Sequence, residues 1–405
     1  MQTNALDGLT VLDLSGPLGN YCGKLFGDLG AEVILVEPPG GSGLRAQGPF
    51  IHDEPGPERS LAFAYANTSK RGITLDLDTG IGQEALRRLA ETADLVIETE
   101  KPGVMARRGL DHASLARINP RLVVTSITPF GQTGPYAQYE AEDIVALALG
   151  GLLYLGGYPD TSPIAAYGNQ AVSAANLLGA VASMTAVMAA EASGEGEHVD
   201  VSMQECVALA LETAAQFYDL EGIVKKRYAG TQRHAGTGVF PCKDGYIYFM
   251  AGGVGGNRFW HLSCDWFEEE GIAGTAQFRE ERWLTHAFLG TDEAKQIFND
   301  VFVPFTMKHT MEELYTKGQE KHVPIAPVST PADLIENPQL KYRGFFTQMK
   351  HFLLPEPFLA PGAPYRFSET PWRISRAAPR LGEHNAEILG PLGLRDAALA
   401  ATGAR

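Results

Sequence analysis

The stretch Thr10-Val-Leu-Asp-Leu-Ser-Gly-Pro-Leu-Gly-Asn-Tyr-Cys-Gly-Lys-Leu-Phe-Gly-Asp-Leu-Gly-Ala-Glu-Val-Ile-Leu-Val36 decides the fold. Thr10 to Leu14 and Glu32 to Val36 are short runs rich in β-branched and aliphatic residues, and read as strands. Tyr21 to Leu29, between them, reads as a helix. Working outward, Asp94 to Glu98 and Arg121 to Ile127 repeat the strand pattern. Ile81 to Thr92 is helical, with Ala85, Leu86, Leu89 and Ala90 at helical spacing. Strands and helices in alternation predict a parallel sheet with helices on its faces, a Rossmann-like α/β domain. Gly16, Gly19 and Gly23 do not make the Gly-x-Gly-x-x-Gly fingerprint, so a nicotinamide site has no support.

Beyond this region the pattern changes. Asp200 to Val224 reads as a long helix leaving the first domain. Residues 227–325 read as a smaller α+β domain, with a strand at Tyr246 to Met250, aromatic helices around Trp260 and Trp283, and an amphipathic helix from Met311 to Lys317. The Pro-rich run Pro324 to Pro331 would return the chain to the first domain, where Tyr365 to Phe367 and Trp372 to Ile374 would add strands. The expected division is 1–200, a helical linker at 201–226, 227–325 and 326–405. The Ala-rich end from about Asp396 is expected to fray.

Four hundred and five residues exceed what one core usually supports, which also points to two domains. The net charge of −15 argues against nucleic acid or an anionic membrane surface as a partner. Cys22, Cys206, Cys242 and Cys264 are scattered, without a paired spacing. They read as reduced thiols in a cytoplasmic protein, with no disulfide or zinc framework and no metal. No signal peptide is expected. Ala171 to Ala192 is long and apolar, but Ser173, Asn176, Ser183, Thr185 and Glu191 interrupt it, so a closely packed core helix is expected in place of a membrane span.

Several short motifs follow one another in order. They are Leu6-Asp-Gly-Leu-Thr-Val-Leu-Asp-Leu14, Leu25-Phe-Gly-Asp-Leu-Gly-Ala-Glu-Val-Ile-Leu-Val-Glu-Pro-Pro39, Asn67-Thr-Ser-Lys-Arg-Gly-Ile-Thr-Leu-Asp-Leu77 and Thr128-Pro-Phe-Gly-Gln-Thr-Gly-Pro135. Ser193-Gly-Glu-Gly-Glu-His-Val-Asp-Val-Ser-Met203, Gly238 to Gly245 and Thr330 to Pro338 complete the set. Each is weak alone; their number, order and spacing are strong. Together they resemble the family III (CaiB/BaiF) CoA-transferases over nearly the whole chain. The resemblance implies two chains interlocked as linked rings, with an active site at their interface. It also implies a CoA thioester as substrate and no permanently bound cofactor.

The family's reaction is nucleophilic catalysis. An Asp attacks the acyl-CoA thioester, giving a mixed anhydride and CoA thiolate. The thiolate attacks the anhydride in turn, forming an aspartyl-CoA thioester that the acceptor acid takes over. That Asp stands ten residues before a Gly that here matches Gly179, so the counterpart is Asn169. An Asn amide is neutral, donates and accepts hydrogen bonds, and is a very poor nucleophile. Asn169 is therefore expected to form no covalent intermediate.

Other departures fall in the same pocket. The family's aromatic that packs the adenine is absent from Glu98-Thr-Glu-Lys-Pro-Gly103. Asp78 stands after Leu75-Asp-Leu77 where some transferases carry Lys, and Leu147 replaces a Gln. The racemase branch has a His before Asp143; here it is Glu142, so no two-base pair is visible. CoA is a polyanion, and the resemblance places Arg45, Lys70, Arg71, Leu75 and Arg107 on its side of the pocket, with Lys70 and Arg71 just before a strand. Lys101 and Arg108 read as solvated charges. Gly252-Gly-Val-Gly-Gly-Asn257 reads as a turn, the family's mobile Gly-rich lid is placed at Tyr228 to Gly238, and His234 reads as structural.

Three readings remain open. The chain is the non-catalytic subunit of a heteromer whose homologous partner carries the Asp, as in transferases acting on aromatic dicarboxylic acids. It is a lyase, dehydratase or hydrolase using Glu140, Glu142 or Asp143 as base. Or it is an acyl-CoA binding or regulatory protein without turnover. The partner is the Asp-bearing homologue or, in a homodimer, a second copy of the chain.

Overall fold

The computed structural model describes residues 4–252 and 258–393. The expected turn at Gly252 to Asn257, apart from Gly252 itself, and the Ala-rich end lie outside them. The chain divides into two compact units. One runs to Leu153, resumes over Ala166–Leu220 and again from Lys341. The other joins Tyr154–Ala165 to Glu221–Leu340.

The first unit is built on six parallel strands: β1 (Thr10–Asp13), β2 (Glu32–Glu37), β3 (Lys70–Thr74), β4 (Leu95–Glu98), β5 (Val123–Thr128) and β6 (His198–Ser202), in the order β3-β2-β1-β4-β5-β6. The order reverses beside β1, the place where parallel α/β sheets open a crevice at the carboxyl ends of their strands. Both faces are covered, as an all-parallel sheet requires. On one face Val11, Val33, Ile97 and Ile127 pack with the helices Asn20–Gly27 and Gln170–Ser193. On the other Leu12, Ile34, Val96 and Val124 pack with the helix Gly80–Ala90 through Ala85, Leu86 and Leu89.

The long helix Gln170–Ser193 is held closely. A Cβ on Gly179 would stand 3.0 Å from Ile127 Cδ1. Buried Asn176 ties the helix to its neighbour, accepting from Cys22 N (2.6 Å) and donating to Leu18 O (2.7 Å). By length and composition this helix could cross a membrane. Here one face packs on the sheet, through Ala171, Ala175, Gly179, Ser183 and Val187, and the opposite face exposes Leu177, Val181 and Met188.

The outer edge of β3 is covered from the far end of the chain. Gly72 N donates to His384 Nδ1 (3.1 Å) and His384 N to Gly72 O (2.9 Å). Thr74 N donates to Asn385 Oδ1 (2.8 Å). Bare edges invite pairing with other chains, and this tail closes one.

The second unit has an antiparallel sheet of β7 (Thr237–Cys242), β8 (Gly245–Met250) and β9 (Ile325–Pro327). Its core is aromatic: Trp260 and Trp283 stack at 5.3 Å, and Phe249 meets Phe302 at 4.6 Å. The helix Met311–Glu320 starts with a capping box of Thr310 and Glu313.

Four expectations need correction. Asp200 to Val224 is not one helix: His198–Ser202 is strand β6, and helices Met203–Leu209 and Glu212–Glu221 follow. The β ladder satisfies the backbone first, and Ser202 then caps the next helix by accepting from Glu205 N (3.3 Å). Lys70 and Arg71 lie inside β3, not before a strand. The late strands are β10 (Phe346–Met349) and β11 (Phe358–Pro361), an antiparallel pair; Tyr365–Phe367 and Trp372–Ile374 are irregular. Ile325 to Pro327 pairs with β8, so the second unit extends to Leu340.

Candidate functional site

Asn169 is the residue before the first turn of the helix Gln170–Ser193. Its carbonyl accepts from Ser173 N (2.9 Å), but its side chain caps nothing and is exposed. The capping role falls to Asp143, whose Oδ1 accepts from Val172 N at 3.0 Å. A carboxylate at this end is favoured by the positive pole of the helix. The structure thus brings Asn169 and Asp143 to one helix terminus. Glu140 is not part of that group: it is exposed, and its carboxylate takes an ion pair from Lys101, which holds it below the usual carboxylate range.

The expected phosphate-side residues separate into three kinds. Arg45 and Lys70 are buried and occupied. Arg45 forks onto Glu37 with two bonds of 2.8 Å, reaches Glu58 at 3.0 Å and Pro379 O at 3.0 Å, and lies over the Phe63 ring. Lys70 Nζ spends its three donors on Asp13 (2.6 Å), Asn20 O (2.6 Å) and Asn67 (2.7 Å). Gly23 makes room for that pair, since a Cβ there would fall 2.2 Å from Asp13 Oδ2. Leu75 is buried in the core beside Ile73 and Leu86. Arg71 is partly exposed and bridges Glu32 and Glu387. Arg107, on the short helix Val104–Arg107, is exposed and has no ion-pair partner among the described residues.

Arg108 departs from its expected role as a solvated charge. It is 18% exposed and clasps two carboxylates, Asp78 at 2.8 Å and Glu100 at 2.8 Å. Asp78 follows β3 and Glu100 follows β4, strands on opposite sides of the switch point. The two acidic departures noted in the sequence are therefore partners of one guanidinium. The lid expected at Tyr228 to Gly238 is not free over its last residues. Gly238 lies in β7, and Gly236 packs near Ala251 and Phe298. His234 meets His286 edge-on at 5.5 Å in the second unit.

A polar cavity of about 270 Å³ lies beneath the loop after β4, lined in part by Glu98, Met105, His112, Ser126, Gln132 and His198. Glu98 is buried, and its Oε2 accepts from Glu100 N at 2.6 Å. Burial pushes its carboxyl up to about 7, against the opposing hydrogen bonds from Ser126 and Glu100 N. Ser126 Oγ lies 2.8 Å from His198 Nε2. Desolvation also lowers the His198 imidazole, which stacks near His112 at 6.3 Å. His112 Nε2 and Gln132 Nε2 are buried without a hydrogen-bond partner among the described residues. No motif announces this cluster. Ser126 and His198 meet only because β5 pairs with β6.

The chain matches the sequence model of CoA-transferase family III over residues 6–385. It is 42% identical to the succinyl-CoA:(R)-benzylsuccinate CoA-transferase subunit BbsE of Thauera aromatica, over 94% of this chain and 92% of that one. It is 33% identical to the succinate–glutarate CoA-transferase of Agrobacterium fabrum, over 96% and 95%. A solved CaiB/BaiF family protein from Brucella suis superposes with a TM-score of 0.80 at 32% identity, covering 96% of this chain and all of that one. With the sheet order and the motif series, these similarities make the chain a member of CoA-transferase family III.

Proposed function

We propose that this chain is the non-catalytic subunit of a heteromeric CoA-transferase. Its homologous partner carries the nucleophilic Asp and moves CoA from a donor such as succinyl-CoA to an organic acid. An aromatic dicarboxylic acid is the favoured acceptor class, by similarity to the benzylsuccinate enzyme's subunit. The observation that carries the reading is Asn169 at the helix terminus. The nucleophile's place is kept, its neighbour Asp143 is engaged as a cap, and the side chain present cannot form an anhydride. The Asp78–Arg108–Glu100 clasp supports it too, because it places two carboxylates where a polyanionic ligand needs cations. So do Leu177, Val181 and Met188, exposed together on the outward face of the helix Gln170–Ser193, which a partner chain would cover.

The test is purification of the native untagged complex, identification of its subunits by mass spectrometry, and hydroxylamine trapping during turnover with succinyl-CoA. The label is expected on a partner Asp and not at position 169. A pure preparation of this chain alone that turns over acyl-CoA, and loses that activity in Asp143→Asn, would instead establish an enzyme working through Asp143.

A further inference from the structure

We propose that a cavity of about 380 Å³ beside the outer edge of β3 is a binding site for a small phosphate ester, held by Arg376, Arg380 and His384. The site is built on the tail that covers this edge, and its backbone is fixed at several points. Ser69 N donates to Arg376 O at 3.0 Å, and Ser375 N to Ser69 Oγ at 3.0 Å. Farther along, His384 and Asn385 hold the backbone of Gly72 and Thr74. Gly72 lets the tail come this close, since a Cβ there would stand 2.8 Å from Pro379 Cγ. The lining side chains are thus carried on a backbone already in place, which lowers the ordering cost of binding. The site is separate from the crevice at the switch point. That crevice opens beside β1, and β2 stands between β1 and β3.

The chemistry of the lining is that of an anion site. Arg376 and Arg380 have no ion-pair partner among the described residues, in a chain whose net charge is −15. The Arg380 guanidinium lies 4.2 Å over the Phe352 ring, a stacking that orients its plane and leaves its in-plane N–H groups for a ligand. His384 adds a donor of fixed sense. Its Nδ1 accepts from Gly72 N at 3.1 Å, so the proton of the neutral ring sits on Nε2. Ser375 contributes a hydroxyl. Glu383 is the carboxylate of the lining, and its Oε2 accepts from Arg380 N at 2.8 Å. Two guanidiniums against one engaged carboxylate leave the balance positive. A phosphate monoester matches these groups, because it brings a charge of about −2 and three terminal oxygens. A carboxylate brings one charge and two coplanar oxygens, and would leave donors unmet. The volume is more than inorganic phosphate alone would fill and falls in the range of small-molecule sites, so an organic group accompanies the phosphate.

The experiment titrates the full chain with inorganic phosphate by calorimetry, at an ionic strength held constant with sodium chloride. Saturable binding is expected. Arg376→Gln and Arg380→Gln should each weaken it by at least about tenfold, since each removes charge-assisted hydrogen bonds. Arg373→Gln removes the same charge from the same segment but outside the lining, and should leave the affinity within about twofold. Displacement of the bound phosphate by CoA but not by dephospho-CoA, which lacks the phosphate monoester, would support the site and assign it to a phosphate carried by the coenzyme. Displacement by neither would support it as a site for a free phosphate ester. Equal displacement by both would show that a monoester is not what the cavity reads, and overturns the proposal. Absence of saturable binding, wild-type affinity in both arginine variants, or equal weakening in Arg373→Gln also overturns it. Arg376 and Arg380 are exposed, so their variants are expected to fold, which urea unfolding checks. If one does not, the displacement pair on the wild-type chain and the Arg373→Gln control decide the matter.

Discussion

At the scale of single residues, similar-looking charges do different work. Asn169→Asp restores a carboxylate but leaves the Asp78–Arg108–Glu100 clasp in place. The variant chain alone is expected to show no CoA transfer from succinyl-CoA above background, measured by chromatography of acyl-CoA products. Lys70 and Asp13 are both fully buried, so Lys70→Met would leave a carboxylate uncompensated. A loss of roughly 3–5 kcal/mol in unfolding free energy is expected by urea titration. Glu98 predicts a pH effect of definite sign. Its folded-state value is raised from 4.5 to about 7, so the native state holds more protons than the unfolded state in that window. Stability contributed by the protonated group is present at low pH and is lost as pH rises through about 7, by up to about 3 kcal/mol. Glu98→Gln should gain stability over wild type at pH 8 and much less at pH 5, read from urea midpoints at both. The sequence made Asn169 legible through motif spacing. It could not reveal that Arg45 and Lys70 are consumed by Glu37 and Asp13, because those partners come from other strands and the residue type is the same whether a cation is free or buried.

At the scale of elements, β1, β2, β4 and β5 were readable because their apolar runs are short and separated by turn residues. β6 was missed although His198-Val-Asp-Val-Ser202 alternates with period two. Helical sequence on both sides masked a five-residue signal, and only the ladder with β5 selects the strand. The long helix was readable, and at Gly179 it passes close to Ile127 of the sheet. Gly179→Leu pushes a side chain into Ile127 at the sheet surface. A loss of roughly 1–3 kcal/mol or failure to fold is expected from overpacking, checked by thermal melting and size-exclusion chromatography. A variant that melts and elutes as the parent would show that the helix has slack against the sheet.

At the scale of the whole molecule, the family and the parallel sheet were legible in the sequence because many weak motifs reinforce one another. The division into units was less so, since Tyr154–Ala165 belongs with residues far downstream. The exposed apolar side chains of the helix Gln170–Ser193 and of Leu209 and Leu220 predict self-association or aggregation of the chain expressed alone. Sedimentation velocity over a concentration series checks this, and co-expression with the Asp-bearing homologue should replace the aggregates by one defined complex. The tail that covers β3 has a consequence for biosynthesis. Thr74 and its partner Asn385 are 311 positions apart, so a ribosome adding roughly 5–20 residues per second needs about 15–60 seconds to make the second after the first. Throughout that interval the nascent chain carries an open strand edge, and a chaperone or a neighbouring nascent chain has the first opportunity to meet it.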